Sequence, residues 1–285
     1  MDKIKIITDG SCDLSHEVLN KFNINVVPLG VSFGEEHYTA GVDIDNKEFY
    51  AKMKDSKELP KTFCPSPENF CKEYQCEEDK IIVIALSSKL SGTYNSASLA
   101  RDLYLSEHKE KDIRVIDSMT GSIGAGLLLI KAAKMISEGK DIDEIVEAIE
   151  NLKEKISFYG TLETLENAIK GGRINPLAGK IIGALNFKAI VQIKDGVVKP
   201  IDKARGESNS IKKVANYITS SIEDTKDKIL CLMHANCPEK AHKLLSIIEK
   251  THKFDEVYTR SRSSPDGRGR IPPRAVTSAD SRSAF

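Results

Sequence analysis

The stretch Ile81-Ile82-Val83-Ile84-Ala85-Leu86-Ser87-Ser88-Lys89-Leu90-Ser91-Gly92-Thr93-Tyr94 decides the fold class. Ile81 to Leu86 is a continuous apolar run, the pattern of a strand covered on both faces. Small polar residues then form a turn, and Ser91 to Leu105 carries helical spacing. A buried strand running through a short turn into a helix is one βα unit of a parallel sheet. Upstream, Lys3 to Thr8 reads as a strand ending in Asp9-Gly10-Ser11, Leu14 to Phe22 as a helix, Ile24 to Phe33 as β-rich and Phe49 to Met53 as part of a helix. Downstream, Ile113 to Ile116 reads as a strand. Two helices follow, Ile123 to Ser137 and Asp141 to Lys155, the second with an acidic first turn that suits the helix dipole. The expected class is α/β, with a mainly parallel sheet in the first domain.

The pattern changes near residue 156. Ile156 to Gly160 is strand-like and Leu162 to Lys170 helical up to Gly171-Gly172. Phe187 to Ile193 and Val197 to Asp202 flank Lys194-Asp195-Gly196, an Asp-Gly hairpin signal. A helix over Ser210 to Ile222, a strand over Lys228 to His234 and a helix over Glu239 to Lys250 follow. We therefore expect an N-terminal α/β domain over 1–155 and a C-terminal α/β domain over 156–258. Residues 259–285 are rich in Arg, Ser, Pro and Gly and lack apolar periodicity. Such a segment buries too little surface to offset its ordering entropy, so it reads as a disordered, non-native tail. A natural RNA-binding arm is the functional alternative for it.

Composition narrows the function classes. The chain has 285 residues, 40% hydrophobic and 29% charged, enough for a sizeable core. Its 42 basic and 42 acidic side chains balance, so no overall field draws it to nucleic acid or anionic membrane. No apolar run reaches membrane-spanning length and no signal-peptide pattern opens the chain. The cysteines Cys12, Cys64, Cys71, Cys76, Cys231 and Cys237 form no C-x-x-C pair, and read as reduced cytosolic thiols. A metal site from Cys64, Cys71 and Cys76 is the weaker reading, and the expectation is no metal and no cofactor. The expected location is cytoplasmic.

The residues that could carry chemistry lie in turns. Ser91, Gly92 and Thr93 sit where free N–H groups point out of a helix start, a site that attracts anions. Ligands in open α/β sheets lie at the carboxyl ends of strands, where this turn falls. The plain alternative is that Ser91 is only an N-cap. In Pro60-Lys61-Thr62-Phe63-Cys64-Pro65-Ser66-Pro67, Ser66 can cap a helix begun by Pro67, and Thr62 can offer a hydroxyl to a ligand. A rigid connector is the plainer reading. Asp9-Gly10-Ser11-Cys12-Asp13 could bind phosphate or a metal, though the turn into the next helix is its simpler role. Ser122-Ile-Gly-Ala-Gly126 is no dinucleotide fingerprint, and close packing of its helix or a narrow tunnel explains its small residues better. The glycines of Lys170-Gly171-Gly172-Arg173 suit a helix C-cap. His234, at the end of a predicted strand, is the best placed histidine, in a buried hydrogen-bonded role. There is no G-x-S-x-G elbow, Walker loop or H-E-x-x-H.

These segments resemble the DegV family of fatty-acid-binding proteins with the EDD fold. Ile6 to Leu14 is similar to the family's opening T-D-S-T-S-D-L, and Val27-Pro28-Leu29 and Tyr38 to Ile44 to its V-P-L and Y-x-D-G-x-D-I segments. Thr62, Pro65, Ser66 and Pro67 match T-S-Q-P-S-P, and Ser87 to Ala97 is similar to S-S-x-L-S-G-T-Y-Q-S-A. Asp117-Ser118, Gly171 to Ile174, Ala204-Arg205 and His234-Ala235-Asn236 follow in order. The resemblance implies a long-chain fatty acid in a tunnel between two α/β domains, its carboxylate on Thr62 and Ser91, with Gly92, Thr93 and Phe63 beside it. It implies no catalysis by this chain, but presentation of the acid to a separate fatty-acid kinase that makes an acyl phosphate. Arg173, Arg205 and His234 would face that partner or the phosphoryl group. An enzyme, a phosphotransferase or hydrolase using Ser91 and Asp9, is the alternative, and a nucleic-acid regulator using the basic tail a third reading. Two departures stand out. The T-S-Q triplet reads Thr62-Phe63-Cys64, and the family's final strand and H-T-G-P-G-like motif give way after Thr259 to the Arg-Ser-rich tail. The second departure leads to an expectation of weaker stability and impaired handoff to the kinase.

Overall fold

The computed structural model describes residues 3–56, 58–179 and 187–261. The first elements are β1 (Ile4–Asp9), α1 (His16–Lys21), β2 (Ile24–Val27), β3 (Gly30–Phe33), β4 (Glu36–Thr39), α2 (Asn46–Asp55), β5 (Lys61–Phe63) and α3 (Pro67–Tyr74). Then come β6 (Lys80–Ala85), α4 (Thr93–Glu107), β7 (Asp112–Asp117), α5 (Ile123–Ser137) and α6 (Ile142–Lys153). The remainder is β8 (Phe158–Leu162), α7 (Glu166–Lys170), α8 (Pro176–Gly179), β9 (Phe187–Lys194), β10 (Val197–Arg205), α9 (Glu207–Ser220), β11 (Ile229–His234), α10 (Pro238–Ile248) and β12 (Glu256–Ser261).

The chain divides into two compact units, and the division is interleaved. Residues up to Val31, His37–Ile44 and Thr62–Ile156 form the first; Ser32–Glu36, Asp45–Lys61 and the chain from Ser157 onward form the second. A single cut near 156 does not describe this grouping.

The first unit is built on a parallel sheet of order β2-β1-β6-β7. Its central strand is as apolar as its sequence: Ile81, Ile82, Val83, Ile84 and Ala85 are fully buried. Alternation sends successive side chains to opposite faces. Ile7, Ile81 and Val83 pack with Phe70, Tyr74, Ala97, Ala100 and Tyr104 of α3 and α4. The other face is covered by α5 and α6. α3 starts on a capping box between Ser66 and Asn69 with Pro67 at its first turn, and α6 on one between Asp141 and Glu144, so orphan N–H groups at both starts are satisfied locally. β4, β3 and β5 form a further three-stranded sheet, whose residues are divided between the two units.

The second unit carries an antiparallel sheet, β10-β9-β8, and a parallel pair, β11 and β12. Asp195 and Gly196 both have positive φ, 55° and 79°, which closes the β9–β10 hairpin in the manner expected of Asp-Gly. Ile190, Ile211, Val214, Leu230, Leu232, Leu244, Leu245 and Ile248 form its core with α9 and α10.

Three sequence expectations need correction. Lys61–Phe63 is a strand, β5, and not merely a connector. The β-rich run from Ile24 is two strands, broken at Pro28-Leu29, and β4 follows where no strand was expected. Thr259, assigned with Arg260 and Ser261 to a disordered tail, lies in β12, where Leu232 pairs with Thr259 and His234 with Ser261. The parallel ladder along β11 extends order two or three residues past the end of the apolar pattern. The rest of the predicted tail, 262–285, lies outside the described residues.

The small residues of α5 are there for close packing. A Cβ added at Gly126 would meet the Cys12 carbonyl oxygen at 2.9 Å and the Leu14 side chain at 2.8 Å. Backbone cannot yield as a flexible side chain does. Gly126→Ala should therefore lower stability by about 1–3 kcal/mol, as overpacking does, read as a lower urea midpoint. An unchanged midpoint would mean that α5 does not seat on the β1–α1 turn in this way.

Candidate functional site

Parallel strands end at one edge, and the loops that leave that edge of the first unit are fixed by two carboxylates. Asp9 closes β1, and its Oδ2 accepts the Leu86 N–H at 2.7 Å while Oδ1 accepts the Ser11 N–H at 2.9 Å. Asp117 closes β7, and its Oδ1 accepts the N–H groups of Ser88 at 3.1 Å and Met119 at 3.0 Å. The loop after β6 is thus clamped from the strand on either side. Burial raises the pKa of Asp9, opposed by the donors from Leu86 and Ser11. With both oxygens taken by backbone, Asp9 is a structural group and a poor phosphate or metal ligand. Asp13, also buried, accepts the Ser122 hydroxyl at 2.6 Å and so joins the β1–α1 turn to the start of α5. The plain reading of Asp9 to Asp13 as a turn is the one the geometry carries.

Within the clamped loop, Ser87 holds the chain. Its N–H donates to the Thr120 carbonyl at 2.9 Å, and its own carbonyl accepts from Leu90 and Ser91. α4 then begins at Thr93 with Gly92 as N-cap, and Gly92 offers no side-chain cap. Ser91 is one residue too early to be that cap. Its Oγ accepts the Thr93 N–H at 3.3 Å and shares a hydrogen with Thr93 Oγ1 at 2.9 Å. Thr93 is fully buried, Ser91 half-buried and Gly92 exposed. A helix of 15 residues therefore opens on backbone donors with a serine hydroxyl beside them, an arrangement that favours an anionic or acidic oxygen.

The second sequence candidate lies alongside. A Cβ on Gly92 would come 3.4 Å from the Cys64 sulfur, and the Ser96 hydroxyl of α4 donates to the Pro65 carbonyl at 2.6 Å. The turn from Thr62 to Pro67 is stitched to the first turn of α4 by these contacts. Ser66 is consumed by the α3 capping box, as the connector reading held. Thr62 is half-buried and Phe63 is 47% exposed.

The second unit holds the remaining candidates. Arg173 follows a helix C-cap: Gly172 has φ +76°, the Arg173 N–H donates to the Ala168 carbonyl, and its guanidinium donates to the Gly171 carbonyl of the same turn. Arg205 is exposed at the end of β10. His234 is 6% exposed at the end of β11, and its Nδ1 accepts the Cys237 N–H at 3.2 Å. That bond leaves the ring proton on Nε2.

Among the described residues no group of His, Cys, Asp or Glu is placed to hold a metal ion. Cys71 and Cys76 point their thiols at the carbonyls of Ala100 and Glu78, and burial pushes both pKa values up, away from the thiolate a metal needs. A hollow of about 520 Å³ lies between Phe33, Glu36, Glu48, Lys52, Asp55 and Glu58. Its acidic lining, with Lys52 already paired to Glu36 at 2.8 Å, repels a carboxylate. No described helix is long and apolar enough to cross a membrane.

What the sequence alone did not yield is the role of Asp117 and the Ser91–Thr93 hydroxyl pair. The signal was present for the second, since two hydroxyl residues flank a glycine at a helix start. For Asp117 nothing local announces that its carboxylate serves a loop 29 residues earlier.

The fold and this site define a class: an α/β protein with a parallel sheet and a helix start with a glycine N-cap at the carboxyl edge. The family model described as "Uncharacterised protein, DegV family" matches residues 3–264, and the chain belongs to the DegV family. A DegV domain-containing protein of Clostridium acetobutylicum is 38% identical over 267 residues, covering 90% of this chain and 91% of that protein. The crystal structure of a DegV family protein from Ruminococcus gnavus with vaccenic acid is 30% identical, with a TM-score of 0.85 over 90% of this chain and 92% of that one. The fatty acid kinase (Fak) B3 protein of Streptococcus pneumoniae, loaded with linoleic acid, is 25% identical, with a TM-score of 0.80 over 92% and 93% of the two chains.

Burial sets the titration of His234. Desolvation, with a smaller push from His242, lowers its pKa to about 4 from an ordinary 6.5. A ring that protonates less readily when folded contributes stability that is whole above pH 6.5 and lost as pH falls toward 4. The shift is worth about 3 kcal/mol. His234→Gln, which keeps an acceptor for Cys237, should lose less stability than the parent between pH 6.5 and 4 in denaturant titrations. Parallel stability curves would show that His234 titrates in the folded state as it does in the unfolded chain.

Proposed function

We propose that this chain binds one long-chain fatty acid, holds its carboxylate on Thr62 and Ser91 at the Gly92–Thr93 start of α4, and presents it in the cytoplasm to a separate fatty-acid kinase. The observation that carries the reading is the start of α4: a glycine at the N-cap, the Ser91 hydroxyl bonded to Thr93, and the Thr62 turn stitched alongside. The relatives support it through what they hold, vaccenic acid in one and linoleic acid in a protein named for a fatty acid kinase.

The energetics suit such a ligand. Each buried methylene contributes about 0.8 kcal/mol. About fifteen of them give roughly 12 kcal/mol before association costs are subtracted. The tail supplies affinity, so the head needs only hydroxyls and N–H groups to orient it. A carboxyl taken out of water without a cation shifts toward its protonated form, which a hydroxyl pair can bind without an ion pair. The ATP chemistry falls to the partner, which transfers the γ-phosphoryl group of ATP to a carboxylate oxygen of the acid and releases ADP. Arg173 and Arg205 contact that partner or the phosphoryl group, and His234 is a buried, neutral ring.

An enzyme using Ser91 and Asp9 is disfavoured by the occupied carboxylate of Asp9. Organic extraction of the purified protein followed by mass spectrometry should release a long-chain fatty acid at close to one per chain. Ser91→Ala and Thr62→Val should each weaken binding of added oleic acid by about tenfold, the worth of one good hydrogen bond to the head. A lipid-free protein that instead turns over a phosphate ester would replace this reading with the enzymatic one.

A further inference from the structure

Phe63 is an exposed aromatic with an unusual seat. A Cβ built on Gly30 would fall inside the Phe63 ring, against Cε2, Cδ2 and Cζ. The ring therefore lies directly on the bare Cα of Gly30, across the neighbouring strands β3 and β5. His37 closes its other side edge-on, with ring centroids 6.1 Å apart. Only glycine leaves this hollow, since any other residue would put side-chain atoms where the ring is.

The seat matters because β5 is only three residues long. A strand so short gains little register from its own ladder. A slip of one residue would send every side chain to the opposite face. Alternation places Thr62 on the face opposite Phe63. We propose that the Phe63 ring in the hollow over Gly30 is a register lock for β5, and that Phe63 is thereby a positioning residue for the Thr62 hydroxyl at the fatty-acid head group. The inference rests on the function proposed above. It gives Phe63 a task different from touching the ligand: the ring holds the strand so that Thr62 faces the site and Cys64 reaches the start of α4.

The experiment is a double-mutant cycle read by oleic acid titration and by thermal unfolding of the full chain. Phe63→Ala should weaken binding by about tenfold in the parent, matching loss of one head-group hydrogen bond. In the Thr62→Val background it should weaken binding little further, because its effect passes through Thr62. Gly30→Ala, which expels the ring, should reproduce Phe63→Ala, and the two together should be no worse than either. Phe63→Leu, which refills the hollow, should recover most of the affinity. Equal losses from Phe63→Ala with and without the Thr62 hydroxyl would overturn the proposal, as would unchanged binding in Gly30→Ala. Should the parent protein bind no fatty acid, the function proposed above falls on its own. Hydrogen exchange then decides the lock: faster exchange at Phe63 and Cys64 in Gly30→Ala upholds it, and unchanged exchange overturns it.

Discussion

Two carboxylates that need never touch a ligand decide where this protein's candidate site lies. A loop leaving the carboxyl edge of a parallel sheet carries N–H groups that the ladder no longer uses, and buried donors without acceptors are costly. Asp9 and Asp117, at the ends of the strands on either side of β6, accept the N–H groups of Leu86 and Ser88. The path of the loop from Leu86 to Ser91 follows. Ser87 is brought under the Thr120 carbonyl, Leu90 and Ser91 turn back onto Ser87, and α4 has to start at Thr93. The position of Ser91 is thus inherited from the strands. This also explains why a buried acid as costly as Asp9 is present: both its oxygens accept backbone donors.

The same logic separates what was legible in the sequence from what was not. β6 and α5 were readable because each satisfies one rule over its whole length, an unbroken apolar run for a doubly covered strand and a long apolar helical stretch for a buried helix. The hairpin at Asp195-Gly196 was readable because a turn with two positive φ values demands those residues. β4, β5 and β12 were missed because short or edge strands are made by their partners and not by their own composition. Thr259 to Ser261 is polar and β-like only because β11 offers it a ladder. Of the site, Ser91 and Thr62 were visible as hydroxyls in turns. Their coupling through Cys64, Pro65 and Ser96 depends on contacts 28 to 31 residues apart, and pattern reading does not reach that far.

A site of this kind divides its labour between strength and direction. On the function proposed here the acyl chain supplies the strength, since its methylenes outweigh one or two hydrogen bonds several times over. The head-group residues are left with direction, presenting an acidic oxygen outward for a partner's chemistry. Direction is a geometric demand, met by whatever fixes the hydroxyls in place. At position 63 the chain carries a large ring, and at position 30 a glycine whose bare Cα receives it. On the proposed register lock, what the site requires of Phe63 is shape on the face of β5 opposite Thr62.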